Sequence, residues 1–577
     1  FVVAHCGGAE DFRDDAPPQC ATTKTKQRTK QNTKWRIQKP HFSGERKTHT
    51  HTHTKRKDVF GFRANGKLTD FSPRAPNRSR NSRFCRRLFL LATPAKGRRR
   101  FPPTPTTPKR GNALTGKSKK RSERNKEIAV TAKSKKAKRK KNMSVDVSDE
   151  SSITAEWLES ILHLYYSTNG RDLLDGPKDD EVDNGDVVIR KDEAGQTISV
   201  KQFQVRPGCD EGENLLSDLL AIDVTVCRNG SMPEEELHLM AKLLSQDPFC
   251  RHFILEAGFD VREIHFYTTL MPALTQFCGG HGGGHEPWPV PSCFYAKYRQ
   301  GSDSVLVLDN MKASSFHVTE FHLGLSLDQA IAAARSIARI HASVLAYRLR
   351  LGVDLGQAFP FLFRPEAAAE SYQQLLERGL PQLATFLHTA DRPELHAVLA
   401  KLHKMRPRAK ETIANLLRPA SPIATLTHTD FWCNNLLFRR KATDGATAAA
   451  GNDQTDNSRA APVECSILDW QMATYSRPTN DLALLLVTSV SGEVRRKRTG
   501  HILDAYWNRF CETTTSLGLD VEGQLNYSRR ELETEFQQSL LLAVLLGIGS
   551  VDLAIGHQAT EERLCEVLID LSNEKVF

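Results

Sequence analysis

Two short stretches constrain this chain more than any other feature: His428-Thr429-Asp430-Phe431-Trp432-Cys433-Asn434-Asn435, and downstream Ile467-Leu468-Asp469-Trp470. Leu426 before the first stretch and Leu437-Phe438 after it read as strands leading into and out of a loop. Cys465-Ser466-Ile467-Leu468 is a short, mostly apolar run that would carry Asp469 at its end. Any fold this chain adopts must therefore accommodate acids at strand ends, with separate segments converging on one place.

The residue types suit phosphoryl transfer. A loop Asp, an Asn five positions on, and a strand-end Asp form the pattern that kinases arrange around ATP and magnesium. Magnesium takes hard oxygen ligands and keeps several waters, so Asn435 and Asp469 suffice as its protein ligands. Asp430 is the catalytic candidate. A carboxylate with a pKa of about 4 is a weak base toward an alcohol, so it would orient the hydroxyl and accept its proton late. Such assistance is worth about 10^2 to 10^4 in rate, and positioning and charge neutralisation supply the rest. His428 reads as a structural hydrogen-bond partner, and Asp481, opening the apolar run Leu482-Ala483, as a brace for the loop.

An upstream lysine and glutamate complete the set. Glu236–Leu244 reads as a buried strand carrying Lys242, and Glu263 follows in a helical pattern with Ile254, Val261, Ile264, Tyr267 and Leu270 on one face. Between the strand-like runs Ile198–Val205 and Leu219–Val226 lies Arg206–Asn214, whose Gly208 and Gly212 could bring backbone N–H groups to phosphates. An ordinary hairpin turn explains these glycines nearly as well. Val305–Leu308 reads as a strand running into the polar connector Asp309-Asn310-Met311, where backbone near Leu308 and Met311 would meet an adenine edge.

These residues resemble the ecdysteroid-kinase-like (CHK kinase-like) proteins, relatives of choline kinases and aminoglycoside phosphotransferases. The resemblance rests on His428–Phe438 with its Trp and paired Asn, Ile467–Gln471, Pro478–Leu482, Asp247-Pro248-Phe249 and Glu263–Tyr267, and it spans roughly residues 150–577. It implies an α+β, bilobal, protein-kinase-like fold with a small β-rich N-lobe and a larger, mainly helical C-lobe. It also implies ATP-dependent phosphorylation of a small-molecule hydroxyl, with an ecdysteroid-like steroid or another apolar alcohol as acceptor. The roles of Asp430, Asn435, Asp469, Lys242 and Glu263 agree with the chemical reading. Thr429 stands where the family usually has Gly, at a place where Thr resists backbone angles that Gly permits. The linker Arg439–Pro462 is long, and Cys278–His285 is Gly-rich; His281 and His285 there read as parts of a flexible loop before a metal site.

Charge divides the chain. Residues 1–142 hold 40 of the 80 Lys and Arg but 9 of the 68 acids, a net of +31, which leaves −19 on the remainder. That segment lacks apolar periodicity and is expected to be disordered. The His-Thr alternation of Thr48–Thr54, and a first Met at position 143, suggest translation of sequence upstream of a native start. Residues 143–308 are expected to form the nucleotide-binding lobe and 309–577 the helical lobe with the acceptor site. Twelve scattered Cys without a paired framework fit reduced thiols and a cytoplasmic location. Ser539–Val551 is too short to span a bilayer and reads as a buried helix.

In the second lobe, Ser326-Leu327-Asp328-Gln329 has capping-box spacing and would open a long helix on which His341 is a satisfied core residue. Further helices are expected over Glu366–Arg378, stopped by Gly379 and Pro381, and over Glu394–Leu402, Thr499–Ser516 and Arg529–Ile548. Tyr506, Trp507, Phe510 and Phe536 suit core before pocket. The rival readings are a choline- or aminoglycoside-type kinase, a silent ligand-binding relative, and a nucleic-acid binder acting through residues 1–142. No obligate nucleic acid is expected. Protein-kinase activity is disfavoured, because Trp470-Gln471 replaces Phe-Gly after Asp469.

Overall fold

The computed structural model describes residues 147–167, 198–209, 216–228, 234–280, 286–299, 301–390, 392–440 and 462–577. The expectations for residues 1–142, for Gly212, for His281 and His285, and for most of the Arg439–Pro462 linker lie outside them.

Helix α1 (Ala155–Ser167) precedes a hairpin of β1 (Ile198–Pro207) and β2 (Ser217–Arg228), followed by β3 (Glu235–Leu244). Strict alternation in β3 sends Leu239, Ala241 and Leu243 to one face, where Trp157, Leu158, Ile161 and Leu162 of α1 cover them. Lys242 therefore faces the other side. That side carries α2 (Pro248–Ala257), α3 (Phe259–His265), a π-helical turn (Phe266–Leu270) and α4 (Met271–Gly280). Asp247 caps α2 by accepting from Phe249 and Cys250 N–H, with Pro248 in the first turn where no N–H is needed. Gly258, at φ 64°, ends α2. The single helical face expected from Ile254 to Leu270 is thus broken into three pieces, and Val261 is only partly buried. Strands β4 (Cys293–Arg299) and β5 (Asp303–Asp309) complete an antiparallel sheet in the order β1-β2-β3-β5-β4.

The chain leaves this β-rich lobe through Asn310–Ser315 and short β6 (His317–Val318). Ser326 and Gln329 form the expected capping box at the start of α5 (Leu327–Leu351). Short α6 (Leu355–Ala358) is followed by α7 (Pro365–Thr389), α8 (Pro393–Met405) and α9 (Ala409–Leu417). Here the expectation fails: Gly379 and Pro381 do not stop the helix, which runs through both. Tyr372, Leu376, Leu380, Leu383 and Leu387 are all buried along it. Packing of that stripe outweighs the hydrogen bond a proline forfeits.

Strand β7 (Thr425–Thr427) pairs with β10 (Thr474–Ser476), and β8 (Leu436–Arg440) lies between β6 and β9 (Val463–Ile467). Helices α10 (Thr479–Thr488), α11 (Gly492–Ser516), α12 (Val521–Leu525), α13 (Arg529–Ile548) and α14 (Gln558–Asn573) follow. Helix α11 begins earlier than Thr499, because Ser491 caps it. Tyr506, Trp507, Phe510 and Phe536 all belong to the main core. The architecture is α+β and bilobal, with a β-rich first lobe and a helical second lobe. Among the described residues no helix is long and apolar enough to cross a membrane.

Candidate active site

The loop after β7 is held from below by one carboxylate. Asp481, fully buried in the first turn of α10, accepts from the backbone N–H of His428 (2.7 Å) and of Thr429 (2.8 Å). His341 on α5 contacts the same carboxylate through Nε2 (3.1 Å), and its Nδ1 meets Tyr506 Oη (3.0 Å). Three elements are tied to one anion this way, and every donor is satisfied without water.

Thr429 has φ 64°, in the left-handed region that a β-branched residue rarely occupies. Its Oγ1 lies 3.0 Å from Thr427 Oγ1. The turn it makes separates His428 from Asp430, which is itself buried. The Asp430 N–H donates to His428 Nδ1 (3.3 Å), which leaves Nε2 as the protonated nitrogen donating to the Leu468 carbonyl (2.8 Å). His428 thus ties the Asp430 loop to the residue preceding Asp469. Asn435 Nδ2 donates to the Asp430 carboxylate (3.0 Å) and carbonyl (2.9 Å), and the Asn435 carbonyl accepts from Leu468 N–H (2.9 Å). Asp430, Asn435 and Asp469 therefore form one connected group.

Asp469 also has φ 64° and opens a single 3-10 turn, Trp470–Met472. Lys242 Nζ donates to Asp469 Oδ1 (2.7 Å) and to Glu263 Oε2 (2.6 Å). Burial works to lower the Lys242 pKa, but the two carboxylates outweigh it and hold the ammonium above its ordinary value. Burial pushes Glu263 up, against the pull of Lys242. Asp469 resists the same burial and lies below its ordinary value because Lys242 is beside it. Gln471 Nε2 donates to the other oxygen of Asp469 (3.0 Å). The Trp470 ring stacks on Phe266, with centroids 4.1 Å apart and planes 6° from parallel, so the Asp469 turn is clamped to the elements that carry Glu263.

Arg262 was not singled out in the sequence. It is buried, and its guanidinium donates to the carbonyls of Gln471 (2.7 Å), Phe361 (3.1 Å) and Ala257 (3.2 Å). Burial lowers its pKa to about 10. Its position directly before Glu263 was the available signal, but a lone helical arginine is ordinarily a surface residue.

Gly208 follows directly after β1, and its N–H donates to the Leu219 carbonyl (2.8 Å). A Cβ there would meet Met240 Sδ and the Leu219 backbone, so close packing in the hairpin accounts for this glycine. Leu308 is paired within the sheet opposite Met240 and Cys293. The Met311 carbonyl accepts from Ser314 and Phe316 N–H (both 3.1 Å), which folds the connector into a tight turn.

The donor set fits magnesium. Asn435 spends its NH2 on Asp430, so its side-chain oxygen could serve as one hard ligand, and Asp469, whose oxygens meet Lys242 and Gln471, could serve as a second. Among the described residues no cluster of three or more His, Cys, Asp or Glu side chains forms a separate metal site.

Asp430 also lines a cavity that opens to solvent. Its other walls come from Phe431 and Trp432, from Leu484 and Val487 of α10, from Ala543, Val544 and Gly547 of α13, and from Leu564, Val567 and Leu568 of α14. The lining is almost wholly apolar, with Asp430 its one carboxylate and Arg563 its one guanidinium. No sequence motif marks this cavity, because it is assembled from three helices and a loop.

The model of the ecdysteroid kinase-like family matches residues 211–519, more than half of the chain. No curated protein matches the sequence. Among solved structures, a choline kinase from Cryptosporidium parvum Iowa II is similar at 10% identity and a TM-score of 0.31, over 65% of this chain and 91% of that one. A glucosamine kinase is similar at 11% identity and a TM-score of 0.23, over 65% of this chain and 81% of that one. Both likenesses are too distant to bear on the site.

Proposed function

Because the chain belongs to the ecdysteroid kinase-like family and is a small-molecule kinase, we propose that it moves the terminal phosphoryl group of ATP to a hydroxyl on an apolar alcohol. An ecdysteroid-like steroid is one such acceptor. The observation that carries this reading is the position of Asp430 in the wall of an apolar cavity while it is hydrogen-bonded to Asn435. A polycationic acceptor is disfavoured, since the cavity offers one carboxylate and one guanidinium.

In this reading Asp430 orients the acceptor hydroxyl and takes its proton as the new P–O bond forms. Its carboxylate is held toward the cavity by the Asn435 amide, so little reorganisation is needed at that moment. Lys242 binds the phosphates, and Glu263 keeps its ammonium charged and aimed. Asn435 and Asp469 would hold Mg2+, which supplies charge neutralisation on the phosphate oxygens. Lys242 now occupies one oxygen of Asp469. Arrival of phosphates gives the ammonium a second set of acceptors. Backbone groups near Leu308 and Met311 would meet the adenine edge, and the β1–β2 hairpin near Gly208 would cover the phosphates. His428 and Asp481 hold the loop without touching substrate. Residues 143–308 would form the nucleotide lobe and 309–577 the acceptor lobe. Cys250 is disulfide-bonded, so reduced thiols do not carry the choice of compartment; an ATP-supplied compartment such as the cytoplasm suits the reaction.

The test is incubation of the purified chain with ATP, magnesium and a panel of alcohols, read by the mass gain of a phosphoryl group. Asp430→Asn is expected to keep ATP binding while turnover falls at least about 10^2-fold. Undiminished turnover in that variant, or no transfer to any alcohol, would overturn the reading.

A further inference from the structure

Arg563 is the one charged group of the cavity that the proposed chemistry does not use. It projects from α14 and is 8% exposed, although arginine is almost never so deeply buried without a partner. One of its nitrogens, Nη2, donates to the Phe321 carbonyl (2.6 Å), and the guanidinium lies over the Phe321 ring at 4.7 Å. Among the described residues no carboxylate pairs with it. Burial accordingly works against its charge. Gly324, at φ 71°, leaves room for the group, since a Cβ there would stand 3.0 Å from Arg563 Nη1.

A structural tether to one carbonyl does not require a guanidinium with five donors at the wall of an apolar cavity. Leaving such a cation without an anion is costly in a low-dielectric site. The cost is offset when a ligand brings the missing oxygen. Phe321 also meets Trp432 edge-on, with centroids 5.4 Å apart, so the group carrying Arg563 packs against the loop that carries Asp430.

We propose that Arg563 is a specificity determinant that donates to an electron-rich oxygen, a carbonyl or a carboxylate, on the acceptor alcohol, at a point separate from the hydroxyl facing Asp430. This rests on reading the cavity as the acceptor site. The acceptor is then an apolar body with two oxygens in distinct roles, one nucleophile and one hydrogen-bond acceptor. A plain hydrophobic alcohol would bind less well, because it leaves the guanidinium unpaired in the complex.

The test is calorimetric binding to the full chain of matched hydroxysteroid pairs. One pair differs only by a ring ketone against a methylene, and the other by a side-chain carboxylate against a methyl. The oxygen-bearing member of at least one pair is expected to bind at least about tenfold tighter, and which pair does so distinguishes a neutral carbonyl from an anion. Arg563→Gln is expected to erase that preference while the methylene or methyl member binds within about threefold of its wild-type affinity. Arg563→Lys is expected to keep part of the preference, most of all for the carboxylate, and it decides the matter if the Gln variant does not fold. Equal binding within both pairs in the wild type would overturn the proposal, as would an equal loss for both members in the variants. A preference present in binding with no phosphoryl transfer to any alcohol would instead overturn the kinase reading and leave this one standing.

Discussion

Thr429 shows most directly how one residue sets the geometry of the loop. Its left-handed φ turns the chain between the braced His428 and the buried Asp430. Glycine adopts that conformation freely, whereas a side chain with Cβ loses about 1 kcal/mol or more there. Thr429→Gly is therefore expected to be more stable than Thr429→Ala by about 1 kcal/mol in chemical denaturation, although both lose the hydroxyl contact with Thr427. The ordering would be reversed at an ordinary strand or helix position. The Lys242 cluster makes a second prediction at this scale. Lys242→Met leaves Glu263 and Asp469 as buried anions, at a cost of about 3–5 kcal/mol near neutral pH. Burial already holds Glu263 above its unfolded value, so the folded state takes up a proton as pH falls, and stability rises on acidification. Asp469 runs the other way in the wild type: its lowered pKa contributes stability above the unfolded value near 3.8, lost as pH falls through the folded one. The variant's deficit in melting temperature is thus expected to shrink as pH drops from about 8 to about 5, and a constant deficit would count against Glu263 as the group responsible.

Among the elements, α7 is where local preference and tertiary packing disagree. Gly379 and Pro381 are strong stop signals in sequence, yet the helix continues because its buried stripe packs on both sides of them. Gly379 is there for contact and not for conformation. A Cβ would run into the Ile548 carbonyl on α13, so glycine lets the two backbones approach. Gly379→Ala should gain about 1 kcal/mol of helix propensity. It is expected instead to lose about 1–3 kcal/mol from overpacking, measurable by urea titration, and a stabilised variant would contradict the close approach. The capping box of α5 is the opposite case. There a few neighbouring residues satisfy the end groups of a helix, so the sequence reads correctly.

On the scale of the whole molecule, the apolar cavity beside Asp430 is the feature that matters most. Gly547 lines it, and a Cβ added there meets nothing within 4 Å. Gly547→Leu should therefore fold, since Leu is also the better helix former. It is expected to raise the KM of an apolar acceptor at least about tenfold with the KM for ATP unchanged, seen in steady-state kinetics. Equal effects on both substrates would mean the cavity is not the acceptor site. What the sequence determined alone was local and chemical: the acids at strand ends, Lys242 on strand β3, and the capped start of α5. Each depends on residue type and on a period of two or 3.6, which neighbouring positions reveal. Only the tertiary structure decided that Lys242, expected to pair with Glu263, would also reach Asp469, that Arg262 would clamp the Gln471 turn, and that Asp430 and Arg563 would share an apolar cavity. Those outcomes join residues far apart in the chain, and they follow from how helices pack, which no short window of sequence records.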